Sequence, residues 1–133
     1  MTKARKALLE VLKTSEEPVS ASHLIKHPSI RFDQATVYRN LHYLEEQGMA
    51  DSFILHCTEH GTERYYSYRN REDASHHHWF HCQICHRFID LGDCRYDEQL
   101  SRWEQAYGFT VCDHTFFLTG LCKACKSSTA SAN

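Results

Sequence analysis

The chain has 133 residues, 41% of them hydrophobic and 24% charged; this suits one domain or two very small ones and argues against disorder. Fifteen Lys and Arg against 17 Asp and Glu leave a formal charge of −2, so no bulk positive field announces nucleic acid and DNA contact must rest on local basic residues. No run approaches the ~20 apolar residues of a membrane helix, and mean hydropathy is −0.58. The opening MTKARKALLEVL carries charge within its apolar run and has no small-residue cleavage site, so a soluble cytoplasmic protein is expected.

Two counts stand out, 11 His and 7 Cys. An odd number of thiols with no secretory signal fits metal binding better than a disulfide framework. Residues 1–70 hold 5 His and a single Cys, and residues 71–133 hold 6 of each. The polar stretch 69–75 between them predicts a hinge, hence two domains, 1–70 and 71–133.

An apolar stripe of Leu8, Leu9, Val11 and Leu12 predicts a first helix over roughly 3–13. Ser20 caps a short second helix over 21–26, with Pro28 beyond its end. Asp33 caps a third, in which Val37, Leu41 and Leu44 turn inward and Gly48 supplies the left-handed terminator. Strands over 51–55 and 64–68 follow, joined by a polar loop over 56–62. Three helices and a hairpin in that order describe a winged helix-turn-helix, whose third helix enters the major groove. Its outer face is expected to show Thr36, Arg39 and Asn40, with Tyr38 at the edge. Arg can read guanine and Asn adenine, while Tyr and Thr suit phosphate or a thymine methyl. Lys3, Arg5 and Lys6 stand where a helix end can meet the DNA backbone. The bland alternative is a solvated helical face.

In the second half, Cys82-Gln83-Ile84-Cys85 and Cys122-Lys123-Ala124-Cys125 form two CxxC pairs separated by 36 residues. Two such knuckles complete a tetrahedral structural zinc site, which supplies ~10–16 kcal/mol of apparent binding energy at neutral pH. A helix marked by Glu98, Leu100, Trp103 and Tyr107, then a strand over 108–118, must return the second knuckle to the first. The tail 127–133 reads as frayed. Upstream, HHHWFHC alternates on a strand, sending His76 and His78 to one face and His77, Trp79 and His81 to the other. With Asp90, Asp97 and His114 available, a second metal site is expected.

The string Ala35-Thr36-Val37-Tyr38-Arg39 followed by Leu41, the His cluster before CxxC, and the second CxxC together resemble the ferric uptake regulator (Fur) superfamily from Arg5 to Cys125. The resemblance implies an α+β architecture: a winged-helix DNA-binding domain, a hinge and a small α/β dimerisation domain. It implies a homodimeric repressor of metal-uptake genes on a palindromic operator, with no membrane and no small organic substrate as partner. Cys82, Cys85, Cys122 and Cys125 match structural zinc ligands. His76 and His78, six and four residues before Cys82, with Asp97 and His114, match a regulatory or auxiliary site. His77 and Asp90 match a hinge site, to which Cys57 and His60 on the wing loop, and His81, are the candidates for further ligands. Departures at Trp79 and Pro18, where the family usually has His, favour the zinc-sensing branch over the iron and peroxide branches. Zn2+ is thus expected at both sites, with Fe2+ or Mn2+ as alternatives at the second.

Catalysis is disfavoured. No H-E-x-x-H occurs, the clearest metal set is a closed set of four cysteines, and a Cys57–His60 nucleophile lacks a third orienting residue. A zinc-stabilised interaction module without DNA affinity is the remaining rival.

Overall fold

The computed structural model describes residues 2–70 and 76–132, with side chains as far as residue 128. The chain divides into two compact units, Met1–Ala74 and Ser75–Asn133. Residues 71–75 of the expected hinge lie outside the described ones.

In the first unit each helix starts on a capping side chain. Thr2 Oγ1 accepts from Arg5 N ahead of α1 (Lys3–Thr14), and Ser20 Oγ accepts from His23 N ahead of α2 (Ala21–Lys26). Asp33 accepts from both the backbone N–H and the hydroxyl of Thr36 at the start of α3 (Gln34–Glu46), supplying partners that the first turn of a helix otherwise lacks. Gly48, at φ 72°, turns the chain out of α3, a conformation that costs a residue with a side chain ~1–2 kcal/mol. Leu8, Leu12, Leu24, Val37, Leu41 and Leu44 form the core between the helices.

A three-stranded antiparallel sheet covers this core in the order β1–β3–β2, where β1 is Val19–Ser20, β2 Ala50–Cys57 and β3 Gly61–Tyr68. The hairpin is longer than the sequence predicts. Pairing runs from Ala50↔Tyr68 to Cys57↔Gly61, so the loop expected over 56–62 shrinks to three residues. Ladder hydrogen bonds do not require apolar side chains, and a His56 Nδ1–Thr62 Oγ1 contact of 2.7 Å closes the polar end. Three helices and this wing make the unit a winged helix.

The second unit is a small α/β layer. Strands β4 (His77–Cys82) and β5 (Phe88–Asp93) are antiparallel, and β6 (Leu118–Gly120) joins β4 in parallel, giving the order β5–β4–β6. Helix α4 (Asp97–Tyr107) ends on the left-handed Gly108. Helix α5 (Lys123–Ala132) begins within the second knuckle, so the tail expected to fray is helical through residue 132. The strand expected over 108–118 is a second correction, since only β6 forms. The polar groups of this segment go to side chains instead: Val111 N donates to Glu104, and Phe116 O accepts from His78.

Burial differs in kind between the units. Among the described residues of the second unit, the buried ones are His78, His81, Cys82 and Cys122. Metal-ligand types occupy the places that Leu and Val fill in the first unit.

Candidate metal centres and nucleic-acid interface

The parallel pairing of β4 with β6 sets Cys82 opposite Gly120, two residues before the second knuckle. Gln83 N then donates to Gly120 O at 2.8 Å, and Cys122 N points at Cys82 Sγ at 3.4 Å. All four sulfurs of Cys82, Cys85, Cys122 and Cys125 lie within 4.8 Å of one another, and Cys85 Sγ is 3.8 Å from Cys122 Sγ. A tetrahedron with ~2.3 Å metal–sulfur arms needs sulfurs ~3.8 Å apart, so the set fits zinc. Burial works against ionisation of Cys82, yet backbone N–H groups of Cys122, Cys85 and Ile84 outweigh it and hold the thiol at about 5. Cys122 is lowered chiefly by the backbone N–H of Cys125, whereas the Cys125 thiol, hydrogen-bonded to the Cys122 sulfur, is pushed up to about 12. Amides aimed at sulfur favour thiolate, the form that binds metal. His86 completes the first knuckle in a left-handed conformation, φ 63°, with its N–H bonded to Cys82 O.

A second donor set gathers His76 and His78 at the start of β4, Cys94 just past β5 and His114 in the segment before β6. The Nε2 atoms of His76, His78 and His114 are 2.9–3.3 Å from one another, and the fourth member is Cys94, whose Sγ is 3.2 Å from His114 Nε2. Asp97, expected in this set, is not in it. It begins α4 as an exposed residue of the first turn, where a carboxylate is stabilised by the helix dipole. Cys94 was missed by sequence reasoning. The available signal was Gly92 inside a strand pattern, which points to a bulge: His77 pairs with Asp93 but Trp79 with Asp90, and the register shifts between them.

The expected hinge set is distributed differently. His77 is held within its own unit, Nδ1 2.8 Å from Asp90 and Nε2 3.1 Å from Asp93; the Asp90 hydrogen bond is the main cause of its raised pKa. His81 does not join them. It is buried, its ring 5.0 Å from that of Phe88 and 5.4 Å from that of His86. In the first unit, Cys57 Sγ lies 3.8 Å from His60 Nδ1 at the wing turn.

On α3, Tyr38 is 41% exposed and Arg39 is exposed beside it. Two expected members of that face are corrected. Asn40 is only 7% exposed, accepting from Arg5 Nε at 2.9 Å and donating to Thr36 O at 2.7 Å. Arg5 also stacks 3.6 Å over the Tyr43 ring, so it braces α1 against α3. Thr36 spends its hydroxyl on Asp33.

A winged helix followed by an α/β unit with two soft donor sets defines a class of metal-dependent regulator, and comparison with known proteins agrees. The model of the ferric uptake regulator family matches residues 1–119. A ferric uptake regulation protein of Campylobacter upsaliensis is 30% identical over 133 residues, spanning 96% of this chain and 81% of that protein. The fold is shared with the Helicobacter pylori ferric uptake regulator (TM-score 0.64, 23% identity, 95% of this chain and 81% of that one). It is shared also with a zinc uptake regulator solved with zinc and DNA (TM-score 0.69, 20% identity, 97% and 85%). The Campylobacter jejuni peroxide stress regulator is similar too (TM-score 0.65, 25% identity, 90% and 99%). The chain belongs to the ferric uptake regulator family. It is therefore a metal-responsive regulator and not an enzyme.

Proposed function

We propose that this chain is a zinc-sensing repressor, a cytoplasmic homodimer that binds a palindromic operator and controls metal-uptake genes. The observation that carries metal sensing is the convergence of three imidazole Nε2 atoms, His76, His78 and His114, within 3.3 Å of one another; the choice of zinc rests on Trp79 and Pro18, which stand where the resemblance leads one to expect histidine. Cys82, Cys85, Cys122 and Cys125 would hold a structural zinc and substitute for an apolar core. We assign sensing to the three-histidine site over a hinge set, because both ring nitrogens of His77 are engaged by carboxylates. Arg39 and Tyr38 would meet the DNA, Arg39 reading a base edge.

A second copy would cover α4, no residue of which is buried, and the exposed Ile89, Leu91 and Phe109; apolar surface of this kind marks an interface. A two-fold dimer then matches a two-fold operator. Metal need favour the DNA-competent state by only about 2.7 kcal/mol to change operator affinity ~100-fold. The name of the Campylobacter upsaliensis relative supports an iron-responsive reading, and one experiment separates the two. Chelator-treated protein is reloaded with zinc at the four-cysteine site, then given Zn2+, Fe2+ or Mn2+ in a gel shift at ~0.1 M salt. Zinc is expected to restore sequence-selective binding at the lowest free concentration. Restoration by Fe2+ alone would establish the iron reading, and binding indifferent to metal would overturn both.

A further inference from the structure

We infer that Cys94 is the fourth donor of the second site, making it a three-imidazole, one-thiolate centre selective for zinc over manganese. This rests on the proposal that His76, His78 and His114 bind metal, and it adds the residue that decides which metal. Two features of the second unit hold Cys94 at the cluster, and two more suit the cluster to a metal ion. Cys94 N donates to His76 O at 2.9 Å, tying the end of β5 to the start of β4. The register shift opposite His78, with Gly92 at φ 84°, carries the chain past the sheet edge, so that Cys94 Sγ reaches 3.2 Å from His114 Nε2. His78 donates Nδ1–H to Phe116 O at 3.1 Å and stacks on the Phe116 ring at 3.8 Å. That bond fixes the tautomer with the Nε2 lone pair turned to the other donors, an arrangement typical of metal-bound histidine. Finally, a cavity of about 200 Å³ lined by His78, Cys94, Tyr96 and Phe116 adjoins two of the four donors.

The chemistry follows from the identity of the fourth donor. Three imidazoles with a carboxylate, the set that Asp97 would complete, accept zinc, iron and manganese alike. A thiolate in that place favours zinc, and equally cobalt(II) as a probe, over ions that prefer oxygen.

The test uses the full-length protein with zinc already in the four-cysteine site, titrated with Co2+. In wild type the added cobalt is expected to show visible d–d bands and a near-ultraviolet thiolate-to-cobalt charge-transfer band. In Cys94→Ser the charge-transfer band disappears, and affinity falls by more than the roughly 10–100-fold that loss of an outer-shell partner costs. Unchanged ellipticity and zinc content check that the variant is folded. Cys94→Asp is expected to keep the site and raise the Mn2+-to-Zn2+ affinity ratio at least tenfold. A charge-transfer band that survives in Cys94→Ser, or a wild-type site whose cobalt depends on His76 and His114 but shows no such band, overturns the role of Cys94 alone. A wild type that takes up no further cobalt overturns the second site itself.

Discussion

Replacing Asn40 by alanine separates bracing from base reading. The substitution deletes the acceptor of the Arg5 Nε bond, 2.9 Å long and part-buried, and the Asn40 Nδ2 donor to Thr36 O at 2.7 Å. A hydrogen bond to a charged group is worth ~1.5–3 kcal/mol and a neutral one ~0.5–1.5. Thr36 O keeps its place in the helical ladder, so the lower end applies to the second bond. Alanine returns ~0.6 kcal/mol of helix propensity, and Arg5 retains its stacking on Tyr43. The first unit should therefore lose about 2 kcal/mol. In urea, with excess zinc to hold the second unit and helix ellipticity as the signal, the midpoint should fall by about 1 M with the slope unchanged. A double-mutant cycle with Arg5→Ala should show a coupling of ~1 kcal/mol. Operator preference measured on the folded variant should be unchanged. A variant of wild-type stability that loses discrimination at one base pair would show instead that Asn40 swings out to read DNA.

Arg39→Ala should cost ~1–3 kcal/mol of operator binding and blur preference at one base pair; equal weakening on every sequence would mark Arg39 as a phosphate contact. Cys82→Ser removes a fully buried donor and should unfold the second unit while the first retains its helices, since three thiolates hold zinc far less well than four. Near-ultraviolet signals of Trp79 and Trp103 report this, and a native spectrum would exclude the four-cysteine site as structural. Asp33 has its pKa lowered chiefly by the Thr36 hydroxyl. Its capping contribution is thus present at neutral pH and lost as pH falls through a folded value below the usual 3.8. Asp33→Ala should lower the thermal midpoint at pH 7, and the gap from wild type should close as pH falls through that lowered value.

What could be read in advance was local. Caps at Ser20 and Asp33, the Val37–Leu41–Leu44 stripe and the terminating Gly48 depend on neighbours within one or two turns, and each stands where the spacing puts it. Asn40 was legible too, being three residues after Val37 and four before Leu44 and so on the buried side. Its amide drew attention to DNA when the period pointed to the core. The second unit resisted for a different reason. Its sheet joins Phe80 to Leu118, a register continued into the two cysteine knuckles by the Gln83–Gly120 and Cys122–Cys82 hydrogen bonds and not signalled by apolar alternation. Phe109, Val111, Phe116 and Phe117 therefore mimic a strand that does not form. The Cys pairs announced themselves by spacing, whereas Cys94 enters its cluster through a register shift that alternation cannot foresee.

That register shift bears on how such proteins diversify. Gly92 has no heavy atom within 4 Å of where a side chain would begin, but its φ of 84° disfavours any side chain there. The irregularity is therefore held by backbone geometry on the edge strand β5, the kind of place where bulges are most common. Losing one residue between Asp90 and Cys94 would reset the phase of the strand end and deliver a different neighbour to the imidazoles, leaving His76, His78 and His114 in place. The metal a descendant answers to could change by slippage at one edge position, with its histidines, its winged helix and its operator all preserved.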